Sequence, residues 1–347
     1  MKSDGYDFPV YGLDNGLFYA LHIPSLLCTA VSFVSVIITL VLLLRTRNFR
    51  RFFTAWTKSE RFIVYMALCD GIYNMFHFAT HTHVSAVRGP VYPRSVCVLY
   101  AFGMVVFITA QSLLANVIAM NAFALMFLDK NLNLGKFDWR LIAWVYGVPV
   151  VGTSLAAIGN QLGPTGAVCF FDGVNGKVTQ IFFTTALTML IFIINVVLYI
   201  ATWVKIRSRS QELCRSLGQQ SVTQRMSIKA AKAMSLFVGA FFIQWMILSI
   251  YGVWALIEGS VPNFLEHLFH ILPDIGGLLN LIVLLIIRRG HLLSSAKTTA
   301  TESGAGNRTK QSRELTGDTM SVEDGRTKPL NELTKVQNAS ECKTTNI

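Results

Sequence analysis

Apolar residues run almost without interruption through seven stretches, approximately 21–45, 61–87, 96–128, 141–159, 178–204, 233–257 and 264–287, with polar and basic residues gathered between them. A helix needs about 20 mainly apolar residues to cross the hydrocarbon core of a bilayer. Only helices and closed barrels satisfy their backbone groups there. The pattern therefore predicts an all-α integral membrane protein built as a seven-transmembrane-helix bundle. The third stretch is longer than one bilayer thickness requires, which predicts a tilted helix whose inner end extends beyond the lipid.

Lys and Arg near span ends are retained on the cytoplasmic side. The first loop holds Arg45, Arg47, Arg50, Arg51, Lys58 and Arg61, the third Lys130, Lys136 and Arg140, and the fifth a series from Lys205 to Lys232. The alternate loops and the N-terminal segment carry only Lys2, Arg88, Arg94 and Lys177, beside several carboxylates. This asymmetry predicts an N-terminus outside and a C-terminus in the cytoplasm. Three parts are expected: an extracellular N-terminus over 1–20, the membrane domain over 21–289, and a disordered cytoplasmic tail over 290–347. The tail is rich in Ser, Thr, Lys, Glu and Gly and has almost no aromatic residue, so it lacks the material of a core. Residues 1–20 have no basic n-region followed by a cleavage site, so no removable signal peptide is expected.

Composition agrees: 52% of the 347 residues are hydrophobic and 14% charged, against roughly 25% charged in an average soluble domain. The mean hydropathy of +0.48 points the same way. The net charge of +11 is explained by the basic inner loops, and nucleic acid is not an expected partner. No nucleophile–base pair, metal-protease motif or glycine-rich phosphate loop is present, so the chain is not read as an enzyme. The absence of internal repeats or paired broken helices disfavours a transporter.

Topology alone is shared by several kinds of seven-helix protein, so the motifs decide. The sixth span reads Lys229-Ala-Ala-Lys232 and then Phe241-Phe-Ile-Gln-Trp245. This resembles the sixth helix of the class A, rhodopsin-like G protein-coupled receptors, where the equivalents of Phe241 and Trp245 form an activation switch beneath the ligand. Ala67-Leu-Cys-Asp70 resembles the family's second-helix signature, and Asn280-Leu-Ile-Val-Leu284 stands where the family has Asn-Pro-x-x-Tyr. The resemblance covers roughly residues 20–290. It implies a polar core at Asp70 with Gln111 and Asn280, and a sodium ion at Asp70. The alternative for Asp70 is a protonated or amide-bonded carboxyl, because a carboxylate inside a span is costly and turns toward polar partners. The resemblance further implies a disulfide between Cys97 and Cys169.

The sequence departs from the family at Ile247, which replaces a proline, and at Asn121-Ala122-Phe123, which stands where the family has Asp/Glu-Arg-Tyr. That arginine helps lock the resting state and then contacts the G protein. Asn121, Ala122, Phe123, Lys229 and Lys232 are the positions at which the resemblance puts the G protein interface. The seventh span has no Lys for a retinal Schiff base, and Met104 occupies the place of the amine receptors' aspartate. No cofactor is expected apart from the sodium ion.

Histidines supply a separate clue. His77 and His81 are four apart and share a helical face, as do His270 and Asp274. The second and seventh helices adjoin in the family, so these four residues are expected to converge, with Met104 and Ile108 of the third helix, on a ligand pocket. A zinc or proton response is one reading; a water-linked set of packing histidines is the other. The expected function is a plasma-membrane receptor that transduces an unknown extracellular small-molecule or peptide ligand to a heterotrimeric G protein. Arrestin and a receptor kinase are expected at the tail. The alternative is a non-coupling or arrestin-biased binding protein.

Overall fold

The structure is a computed structural model that describes residues 4–46, 48–215, 222–258 and 261–289. The tail from 290, with the arrestin and kinase sites expected on it, lies outside the described residues.

Among the described residues, seven helices are long and apolar enough to cross a membrane: α1 (Phe18–Arg45), α2 (Lys58–Val87), α3 (Arg94–Phe127), α4 (Lys136–Ile158), α5 (Lys177–Arg209), α6 (Ala230–Glu258) and α7 (Asn263–Arg289). The chain is thus a mostly helical bundle of the multi-pass membrane type. Helix starts follow local chemistry. At α2 the Thr57 hydroxyl accepts from the Glu60 N–H while the Glu60 carboxylate accepts from the Thr57 N–H, so two otherwise unpaired backbone donors are satisfied. The same helix stops at Arg88, which takes a left-handed conformation (φ 52°) and donates its N–H to the Val84 carbonyl at 2.8 Å.

α3 has 34 residues, a length of about 51 Å at 1.5 Å per residue. It crosses the centre of the molecule, packing against α2, α4, α5 and α6 and against both strands of the only sheet among the described residues. α1 packs on α2 and α7 and closes the ring. The outward faces of α1 and α5 are built of exposed residues such as Leu27, Val31, Ile193, Val197 and Val204. A water-soluble monomer rarely exposes apolar surface on that scale.

Among the described residues, π turns occur at Ala143–Gly147 in α4 and Ile181–Ala186 in α5. The first precedes Pro149, whose missing N–H leaves the helix ladder one donor short. In α7 a 3₁₀ turn over Pro273–Ile275 interrupts the helix. The sixth helix has no such break: with Ile247 in place of proline it runs continuously from Val222 to Glu258.

Between α4 and α5, β1 (Leu162–Pro164) and β2 (Cys169–Phe171) form an antiparallel pair. The Cys97–Cys169 disulfide fixes this hairpin to α3, and the Cys169 N–H donates to Thr80 Oγ1 on α2 at 3.2 Å. The N-terminal segment lies against the hairpin: Gly5 N–H donates to Asp172 Oδ2 at 2.9 Å, and Tyr11 N–H donates to the Gly166 carbonyl at 3.0 Å. Tyr11 also donates its hydroxyl to Asn263 Oδ1 at the start of α7 (3.2 Å), and Arg94 pairs with Asp4 at 2.6 Å. Hairpin and strap together cover one end of the bundle, here termed the disulfide end.

At the other end, Arg61 of α2 grips Asp138 through two nitrogens, at 2.7 and 3.1 Å, and Tyr65 donates to the same carboxylate at 3.0 Å. Beyond α3, Arg209 makes a bidentate pair with Asp129 and holds its carboxyl below the ordinary carboxylate range.

Candidate functional site

Beneath the hairpin, four histidines and one aspartate from three helices meet in the interior. His22 comes from α1, His77 and His81 from successive turns of α2, and His270 and Asp274 from successive turns of α7; all are buried. The i, i+4 spacing puts each pair on one face, and the packing of α1 against both α2 and α7 brings the faces together. His77 Nδ1 lies 2.5 Å from Asp274 Oδ1, His81 Nε2 lies 3.1 Å from His77 Nε2, and His22 Nδ1 lies 2.6 Å from His81 Nδ1. The His270 ring stacks on His77 with centroids 6.0 Å apart and meets His81 edge-on at 5.5 Å.

With all rings neutral and the Asp274 carboxyl ionised, one tautomer assignment satisfies every one of these contacts. His77 donates from Nδ1 to Asp274 and accepts at Nε2 from His81, which accepts at Nδ1 from His22. The two ends of this chain, His22 Nε2 and Asp274 Oδ2, are buried with no hydrogen-bond partner among the described residues. Buried polar atoms of this kind carry a desolvation cost and call for an explanation.

A cavity of about 20 Å³ adjoins the cluster, lined by His77, Met104, Ile108, Trp245 and His270 among others, and roofed by Val168 and Phe170 of the hairpin. That volume fits a single water or ion; drug-sized ligands occupy about 300–1,000 Å³. The cluster and the cavity contain every residue that the sequence placed in a ligand pocket, His77, His81, Met104, Ile108, His270 and Asp274. His22 was not foreseen. Its signal was available, since an ionisable side chain inside an apolar span is a functional hint in itself.

Deeper in the bundle stands Asp70, fully buried, accepting hydrogen bonds from the side-chain amides of Gln111 (α3), Gln244 (α6) and Asn280 (α7). The expected polar core of Asp70, Gln111 and Asn280 is thus in direct contact. Gln244 is an addition: it also donates to the Pro273 carbonyl at 2.9 Å, so it links the carboxylate to the interrupted turn of α7. Gly276 has a packing reason, because a Cβ there would strike Gln244 Nε2 and Asp70 Oδ1. Gly277 donates its N–H at 2.9 Å to Ser32 Oγ of α1, which also accepts from Asn74.

The proposed switch residues are both buried. Trp245 contacts Tyr73 edge-on at 5.6 Å, and Phe241 lies against Phe192 of α5 at 5.5 Å. The indole N–H of Trp245 has no hydrogen-bond partner among the described residues. At the end of α3 away from the disulfide, Asn121 accepts from the Leu132 N–H at 2.9 Å and donates toward Met234 Sδ of α6 at 3.4 Å. Ala122 is buried, and Phe123 stacks on Phe127 at 4.4 Å. Lys232 is partly exposed, and the side chain of Lys229 lies outside the described residues. No family model matches this chain, and no curated protein matches it.

Proposed function

We propose that the chain is a plasma-membrane receptor of the class A, rhodopsin-like, G protein-coupled kind, with the disulfide end outside and the tail in the cytoplasm. One observation carries the reading: adjacent residues of α6 touch two different sites. Trp245 lines the roofed cavity, and Gln244 bonds to Asp70 and to the Pro273 carbonyl. An event in the cavity that displaces Trp245 also strains the Gln244 bonds, and α6 then shifts against α2, α3 and α7. A ligand coupled in this way biases a pre-existing equilibrium between two arrangements of the bundle. The opposite end of α6, with Lys229 and Lys232, would receive the G protein.

A second reading, a seven-helix binder that does not couple, is favoured by the α3 terminus. There Ala122 offers no polar group and Asn121 is engaged by the following loop. Agonist-free G protein activation, measured across G protein classes in cells with the chain at the surface, separates the two. Basal signal is expected from the native chain and a higher one from Gln244→Leu, which frees α6 from Asp70. Silence in both, with signal gained only in Ala122→Arg, would favour the non-coupling binder.

A further inference from the structure

We propose that His77, His81 and His270 form a binding site for a divalent transition metal, Zn²⁺, independent of whether the chain signals. Each of the three offers one ring nitrogen, and the three nitrogens lie within 4.8 Å of one another. Zn–N bonds of about 2.0–2.1 Å in a tetrahedral site put ligand nitrogens about 3.3–3.4 Å apart. His77 Nε2 and His81 Nε2 are already 3.1 Å apart, so a modest inward rotation of His270 completes a three-nitrogen face. Imidazole is a ligand that zinc favours, whereas calcium and magnesium favour oxygen.

The surroundings fit the same purpose. A metal-bound histidine commonly donates its second N–H to a carboxylate or another acceptor, which fixes the ring and its tautomer. Asp274 stands in that place behind His77, and His22 stands behind His81. Metal entry requires a lone pair on His81 Nε2, whose proton moves to Nδ1 as His22 shifts its own proton from Nδ1 to Nε2. Both rings remain neutral and no proton leaves the cluster. His22 Nε2, buried and without a hydrogen-bond partner among the described residues, is the atom that receives the proton. The cavity of about 20 Å³ beside His77 and His270 has room for one water as fourth ligand. Three protein ligands with one open position is the arrangement in which zinc holds an exchangeable group.

The test uses the full chain purified in detergent or nanodiscs, with Zn²⁺ uptake measured by equilibrium dialysis and Co²⁺ as an optical probe of four-coordinate nitrogen ligation. One metal per chain is expected, with a raised unfolding temperature and visible Co²⁺ bands. His81→Ala and His270→Ala should lose both signals, Asp274→Asn should weaken binding about 10–100-fold, and His267→Ala, at a ring bonded instead to the Asn263 carbonyl, should leave them unchanged. His270→Gln serves as the second variant should an alanine variant fail to fold, which the metal-free unfolding temperature reveals. A folded native chain that takes up no metal, or uptake that persists in the folded His270 variants, would overturn the site.

Discussion

Asp274 on α7 holds the ring of His77 on α2 at 2.5 Å, both side chains being buried. The contact joins two helices separated by almost 200 positions in the chain. With metal chelated, Asp274→Ala should leave His77 Nδ1 without this buried partner and lower stability by about 1–3 kcal/mol. Asp274→Asn keeps an acceptor oxygen and should cost less. Thermal unfolding in one detergent, with metal chelated, ranks the variants. Equal stabilities for native and Asp274→Ala would mean that the pair does not hold α2 to α7.

Close approach at Asp70 can be tested through a single methyl group. A side chain at Gly276 would meet Gln244 and the Asp70 carboxylate, whereas at Gly239 on α6 none of the described residues comes within 4 Å of the equivalent position. Gly276→Ala should destabilise by about 1–3 kcal/mol through overpacking, while Gly239→Ala should stabilise by about 0.5–1 kcal/mol because alanine loses less backbone entropy on entering a helix. Opposite shifts in unfolding temperature are the expected result, and shifts of the same sign would count against the packing described at Asp70.

Arg61 and Asp138 form a buried, bidentate pair, with side chains 10% and 3% exposed. Removing either partner strands the other charge away from water, a change that costs about 3–5 kcal/mol. The double variant Arg61→Leu with Asp138→Leu removes both charges and should be less damaging than the sum of the single changes. A double-mutant cycle on unfolding free energies measures the coupling, and simple additivity would show the pair to be energetically idle.

Much of the architecture was legible because apolar run length is a direct signal of a spanning helix. The second and third helices begin at Lys58 and Arg94, within three residues of the boundaries expected at 61 and 96. α4 was read short, as 141–159 where the helix begins at Lys136. Its first turn contains Phe137 and Asp138 in left-handed conformations and carries Lys136, Asp138 and Arg140, so neither periodicity nor hydropathy marked it. The β1–β2 hairpin was not foreseen, because three-residue strands are too short to show alternation.

At the candidate site the legible residues were those with a helical partner in the sequence. His77 with His81 and His270 with Asp274 declared a shared face by their spacing. His22 has no such partner in α1, and its place beside His81 arises only when α1 packs on α2. Gln244 sat inside the sixth-helix motif, yet its role depends on the turn at Pro273 and on the absence of a side chain at Gly276. Such relations belong to tertiary packing and leave no local periodicity to read.

The cover over the disulfide end is fastened at several points: to α3 by the disulfide, to α2 at Thr80, and to the start of α7 through Tyr11 and Asn263. A solute held in the cavity below has to wait for some of those fastenings to open before it escapes in that direction. Dwell time there is then governed by how often the cover opens, and two occupants of very different affinity would leave at similar rates whenever opening is the slow step.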